Sequence, residues 1–196
     1  MRLFIAVEVD PAVRAKILRE ADRLRRFAPQ AKWVNPSGMH VTLAFIGQLA
    51  DERVPEVKTI LEEVASRHAP LSLSAQGIGG FGASRHPRVL WIGLGGDISS
   101  LGNIKADLEQ RLLPLGYEAE KRAFKPHLTL ARARQMQGDP ALAPCIEECK
   151  VASFGESRVE RVILFRSELS PKGARYTPLA EPLLSGGPAP FPAEAK

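Results

Sequence analysis

Sulfur and imidazole are scarce in this chain, which has two cysteines and four histidines among 196 residues. Cys145 and Cys149 lie four positions apart on an expected helix near 140–149, without Cys-x-x-Cys spacing and without the further ligands of a zinc site. That pattern excludes a disulfide scaffold and a thiol redox motif, and leaves two reduced thiols in a reducing compartment. No apolar run approaches the length of a membrane span, and the run Leu3 to Val7 is too short for a signal segment and is followed by Glu8 and Asp10. The expected setting is cytoplasmic and away from membranes. The stretch Gly77-Ile78-Gly79-Gly80-Phe81-Gly82 does not open a helix, as a phosphate-binding glycine loop must, but leads through Ser84-Arg85-His86-Pro87 into another apolar strand. It is read as a flexible crossover between two lobes. No coiled-coil heptads appear, so the default expectation is a monomer.

What is present is an ordinary globular composition, 44% hydrophobic and 25% charged, with a formal charge of +5 that favours an anionic partner. One short phrase occurs twice: His40-Val41-Thr42-Leu43 and His127-Leu128-Thr129-Leu130. In a strand, residues i and i+2 share a face, so each phrase sets an imidazole beside a hydroxyl and turns two apolar residues to the core. A single copy reads as well as a buried histidine satisfied by its neighbours; the pair is set apart by an internal repeat. Arg2 to Val7 and Arg88 to Leu94 both read as buried strands, and their first residues are 86 positions apart, while the two histidines are 87 apart. A duplicated unit is the economical explanation. His68 and His86 have no such partners and are read as surface residues.

Along the chain, Asp10-Pro11 begins a helix whose apolar face is Val13, Ile17, Leu24 and Phe27, with Ala21 between, and which ends near Ala28-Pro29. Lys32 to Val34 reads as a short strand and 51–68 as a second helix. Further helices are expected at about 98–113 and 140–149, with strands at 71–75, near Tyr117, at 151–154, 159–168 and 175–179. The expected fold is α+β, a bilobal pseudo-twofold duplication in which two mainly antiparallel sheets flank a central cleft, with helices on the outer faces. One domain spans 1–184, with lobes at about 1–80 and 86–184 and room for strand exchange, and 185–196 is expected to be a disordered tail.

Two imidazoles whose ordinary pKa is about 6.5 can supply one base and one acid near neutrality. With Thr42 and Thr129 as hydroxyl donors, and Arg132 in a stretch from Lys121 to Gly138 that holds no acidic residue, they suit in-line displacement at phosphorus. No carboxylate recurs beside the histidines, so neither a metal nor a cofactor is expected.

At these residues the chain resembles the two-histidine phosphoesterase superfamily, specifically the RNA 2',3'-cyclic phosphodiesterases historically called 2'-5' RNA ligases. The likeness extends to Arg2 to Val7, Trp33 to Gly47, Pro87 to Trp91, Phe124-Lys125-Pro126-His127 with Arg132, and Gly173 to Leu179. It implies hydrolysis of RNA 2',3'-cyclic phosphate ends to 2'-phosphates, with His40 as proton donor, His127 as proton acceptor, and Thr42, Thr129 and Arg132 binding phosphate. Some members of that group also join tRNA halves reversibly through 2'-5' links, so the implied partner is RNA with a cyclic phosphate end. Phe45, Phe81 and Tyr176 are candidates for lining the nucleoside end. Two alternatives stand beside this reading: a non-catalytic nucleotide- or RNA-binding module, and a phosphodiesterase acting on a smaller cyclic phosphate.

Overall fold

A computed structural model of the chain describes residues 1–35, 38–120, 122–170 and 173–187. The elements in chain order are β1 (Arg2–Val7), α1 (Pro11–Leu24), β2 (Lys32–Trp33), β3 (Val41–Gln48), α2 (Val54–Arg67), β4 (Leu71–Ala83), β5 (His86–Gly96), α3 (Ile98–Leu112), β6 (His127–Arg132), α4 (Ala143–Glu148), β7 (Ser153–Val159), β8 (Ile163–Ser170) and β9 (Gly173–Ala180). The strands form a four-stranded sheet ordered β3-β1-β8-β9 and a five-stranded sheet ordered β2-β6-β5-β4-β7, antiparallel throughout. With β3 set on β6 and β1 on β5, the two orders correspond strand for strand, and β2 is added beyond β6. The fold is α+β, as expected.

The sheets do not divide at 80–86. β4, from the first half of the chain, pairs with β5 and β7, while β8 and β9 from the end of the chain complete the sheet of β1 and β3. Helices cross over as well: α1 packs on β7 and α3 on β3. The Asp10 carboxylate makes no cap to α1. It accepts from the Arg158 amide at 3.2 Å, and the Asp10 amide donates to Ser157 Oγ at 3.0 Å, which ties the helix start to β7. Of the face of α1 foreseen in the sequence, Val13, Ile17, Ala21 and Leu24 are buried, while the helix ends at Leu24 and Phe27, beyond it, is half-buried. β1 is buried on both faces: Leu3, Ile5 and Val7 enter the main core, and Phe4 and Ala6 join Ile163 and Phe165 in a smaller cluster.

Five local expectations are corrected. The glycine-rich stretch is no crossover but the second half of β4, a strand of 13 residues that continues through two register shifts. Its glycines are needed for contact: a Cβ on Gly79 would lie 2.2 Å from the Trp91 ring, and one on Gly80 2.8 Å from Ile146. No strand forms near Tyr117, whose buried ring sits in a loop with its hydroxyl donating to Glu109 at 2.9 Å. His68 is half-buried rather than a surface residue, and its Nε2 lies 3.2 Å from the Asp107 carboxylate, linking α2 to α3. The expected strand 159–168 breaks where Arg161 bridges Leu183. Of the expected tail, Ser185 and Gly186 donate to the carbonyls of Ala65 and His68, and 188–196 lie outside the described residues.

Candidate active site

The two motif strands approach each other across the cleft, β3 from the four-stranded sheet and β6 from the five-stranded one. Each is bulged at the same place. Ile5 and Ala6 face Ala44 and Thr42, so Leu43 is an extra residue in β3; Leu90 and Trp91 face Ala131 and Thr129, so Leu130 is an extra residue in β6. Each extra residue stands three positions after its histidine. A bulge of one residue reverses the alternation beyond it. The residue five after each histidine therefore returns to the face of the His-Thr pair: Phe45 on one wall, Arg132 on the other. The duplication delivers an aromatic ring and a guanidinium to corresponding positions.

His40 lies just before β3. Its ring centroid is 4.7 Å from that of Phe4 and 5.8 Å from that of Phe165, and the Tyr176 ring meets it edge-on at 5.2 Å. Three rings contributed by β1, β8 and β9 thus fix the orientation of one imidazole. On the other wall, the Phe81 ring meets His127 edge-on at 4.9 Å, and Trp91 lies beyond at 6.4 Å. His127 Nδ1 is 2.6 Å from the Lys125 carbonyl oxygen. A carbonyl only accepts, so Nδ1 carries the proton and Nε2 of the neutral ring is left as the acceptor. Arg132 donates to Thr129 Oγ1 at 3.4 Å.

Two joined recesses share Thr42, His127, Arg132 and Arg134. One, of about 940 Å³, brings His40, Thr42, His127 and Thr129 together with Tyr176 and Trp33. The other, of about 1090 Å³, is lined by Phe45, Phe81, Arg88, Phe124 and Lys125. All eight site residues read from the sequence therefore border one continuous cleft. Phe45 is 50% exposed, which places it on the cleft wall and not in the core. The helices take little part: α3 contributes Lys105, paired with Glu109 and lying 5.5 Å from the centre of the Phe124 ring, and α1 contributes Arg25 just past its end. Sequence reading missed the support: Phe4 and Phe165 behind His40, Trp91 behind His127, and the Lys125 carbonyl. For Trp91 the signal was its place in the apolar run paired by the repeat with β1. Among the described residues, no group of three or more His, Cys, Asp or Glu side chains is arranged to hold a metal ion, and no helix is long and apolar enough to cross a membrane.

A duplicated α+β fold with two His-x-Thr-Leu strands on facing walls is the architecture of a phosphoesterase. Sequence comparison agrees. The chain belongs to the family described as LigT like Phosphoesterase, which matches residues 7–91 and 96–176. An Archaeoglobus fulgidus protein named RNA 2',3'-cyclic phosphodiesterase is 34% identical over 181 residues, covering 91% of this chain and 98% of its own. Among solved structures, a Thermus thermophilus protein superposes with a TM-score of 0.80 at 30% identity, covering 95% of this chain and 99% of its own. Escherichia coli LigT, solved with 3'-AMP, superposes with a TM-score of 0.74 at 25% identity, covering 94% and 98%.

Proposed function

We propose that this chain hydrolyses RNA 2',3'-cyclic phosphate ends to 2'-phosphates without a metal ion. The observation that carries the reading is the meeting of both histidines and both threonines in one recess; the name of the archaeal relative supports the substrate class. His127, with Nδ1–H held by the Lys125 carbonyl, takes a proton from water at Nε2 as the water oxygen bonds to phosphorus. The bond from phosphorus to the 3'-oxygen breaks, and protonated His40 gives its proton to that oxygen. Thr42, Thr129 and Arg132 bind the non-bridging oxygens as charge develops on them. Phe45, Phe81 and Tyr176 border the nucleoside. With an RNA 5'-hydroxyl in place of water as the nucleophile, the same groups keep these roles and form a 2'-5' link, and they exchange roles when that link is cleaved back to the cyclic phosphate.

The test is digestion of an oligonucleotide ending in a 2',3'-cyclic phosphate, in the presence of EDTA. A 2'-phosphate product is expected, with kcat lowered about 10²- to 10⁴-fold in His40→Ala and in His127→Ala, the usual worth of a positioned acid or base. Normal turnover by both variants rejects the reading. A 3'-phosphate product reverses the leaving oxygen, and with it the two histidine roles.

A further inference from the structure

Both recesses are basic, but only the one that holds His40 is free of carboxylates, and that difference bears on how much of an RNA is recognised. The recess that holds His40 is lined by Arg25, Lys32, Arg132 and Arg134 and by no carboxylate, whereas in the one that holds Phe45 and Phe81 the cations Arg88, Lys105, Arg122 and Lys125 are accompanied by Glu118 and Glu120. Lys32 on β2 stands directly opposite Arg132 on β6 in the antiparallel ladder. Like charges in that arrangement repel. Neither has a carboxylate within 4.0 Å among the described residues. Arg134 is held in place beside them by its Nε donating to the Gln30 carbonyl at 2.6 Å.

The chemistry of the substrate says which end of an RNA belongs there. In a 2',3'-cyclic phosphate, the 2'-carbon adjoins the carbon that bears the base, and the 3'-carbon adjoins the carbon from which the 5' chain departs. With phosphorus between the two histidines, base and chain must leave on opposite sides. His40 serves the 3'-oxygen under the reading above, so the 5' chain leaves on the His40 side and the base on the side of Phe45 and Phe81. We infer that the His40-side recess, between β2 and the end of α1, binds the phosphodiester 5' of the reacting ribose, with Lys32 as its chief contact. The preferred substrate is then an oligonucleotide end and not a free nucleoside cyclic phosphate. Trp33, half-buried with its Nε1 donating to the Ala28 carbonyl at 2.9 Å, offers a fixed ring beside that path.

This inference rests on the proposed function, and one experiment separates the two. kcat/KM is measured for adenosine 2',3'-cyclic phosphate and for a diadenosine ending in the same group, with the unmodified chain, Lys32→Ala and Lys32→Arg. The dinucleotide should be preferred about tenfold, the scale of one charge-assisted hydrogen bond. Lys32→Ala should remove most of that preference, and Lys32→Arg should keep it. For the dinucleotide, the slope of log kcat/KM against log salt should become shallower by about 0.7 in Lys32→Ala, the share of one neutralised phosphate on a single strand. Equal rates on the two substrates, or equal losses on both in Lys32→Ala, overturn the inference. Turnover of neither by the unmodified chain overturns the proposed function instead. Lys32 is exposed and on an edge strand, so its variants keep the fold, which matched melting curves verify.

Discussion

Replacing Gly79 by alanine adds one methyl group and should damage both stability and catalysis. Gly79 faces Trp91 across β4 and β5, and the indole folds over it: a Cβ there would meet Cη2 and Cζ2 of Trp91 at 2.2 Å and Cε2 at 2.7 Å. Carbon atoms rest about 3.5–4.0 Å apart, so the ring or the strand must move by more than an ångström. Overpacking of this kind costs about 1–3 kcal/mol. Against it stands a gain of about 0.5–1 kcal/mol from exchanging glycine for alanine in a strand; φ at Gly79 is not positive, so backbone strain adds nothing. The expected net loss is about 1–2 kcal/mol, or about 3–6 °C in Tm for a chain of this size. Trp91 lies 5.4 Å from Phe81, and Phe81 lies 4.9 Å from His127. Displacement of the indole therefore reaches the proposed base, where a shift of about 1 Å lowers rate about 10²-fold. Gly102, in α3 with nothing within 4 Å of an added Cβ, is the control, and its alanine variant should gain about 0.5–1 kcal/mol. Thermal melts and initial rates on a 2',3'-cyclic phosphate measure both effects. Unchanged Tm and rate in Gly79→Ala would refute the reasoning.

The Asp107 carboxylate joins α3 to α2. Burial raises its pKa, but the hydrogen bonds from Arg111 and His68 outweigh burial and hold it below the usual range. A carboxyl depressed on folding stabilises the protein above its unfolded pKa, about 3.9, and loses that contribution as pH falls through the folded value. Asp107→Asn should therefore lower Tm at neutral pH, with the gap closing below about pH 4; an equal gap at all pH values would rule out the charge as the cause. Burial pushes the thiols of Cys145 and Cys149 up to about 11, assisted at Cys149 by its hydrogen bond to Glu20. Neither should react with a disulfide reagent at about pH 8 until denaturant is added, and rapid labelling of the folded protein would contradict this.

Much of the fold was legible because the governing signals are local. The 3.6-residue period of α1, the proline that starts it and the continuous apolar run of β1 all depend on neighbours in sequence. The motif strands were legible for a further reason: the duplication displays each beside its counterpart. The second half of β4 was misread because glycine lowers strand propensity, while the reason for the glycines, Trp91 lying over Gly79, belongs to tertiary structure. Tyr117 reads as a strand residue because an aromatic in a short polar stretch looks the same whether it is paired in a sheet or buried from a loop with its hydroxyl on Glu109. At the candidate site, the period of two predicts that residues four after each histidine share its face, and five after do not. Arg132 was found through the basic surroundings of the motif, not through its spacing. The bulges that turn Phe45 and Arg132 inward follow from pairing with β1 and β5, which no local pattern announces.

The exchange of strands between the sheets also sets the order in which the molecule can come into being. His40 and its strand are made early, but Phe165, one of the rings that orient it, comes 125 positions later. β1 cannot complete its pairing until β8 has been synthesised. The other wall must wait too, because β4 is flanked by β7, the last strand made before β8. Neither half of the chain can close a sheet of its own. A ribosome-bound chain therefore acquires both walls of the cleft nearly together, once β7 and β8 have been made, and pairings so distant in sequence make for slow folding.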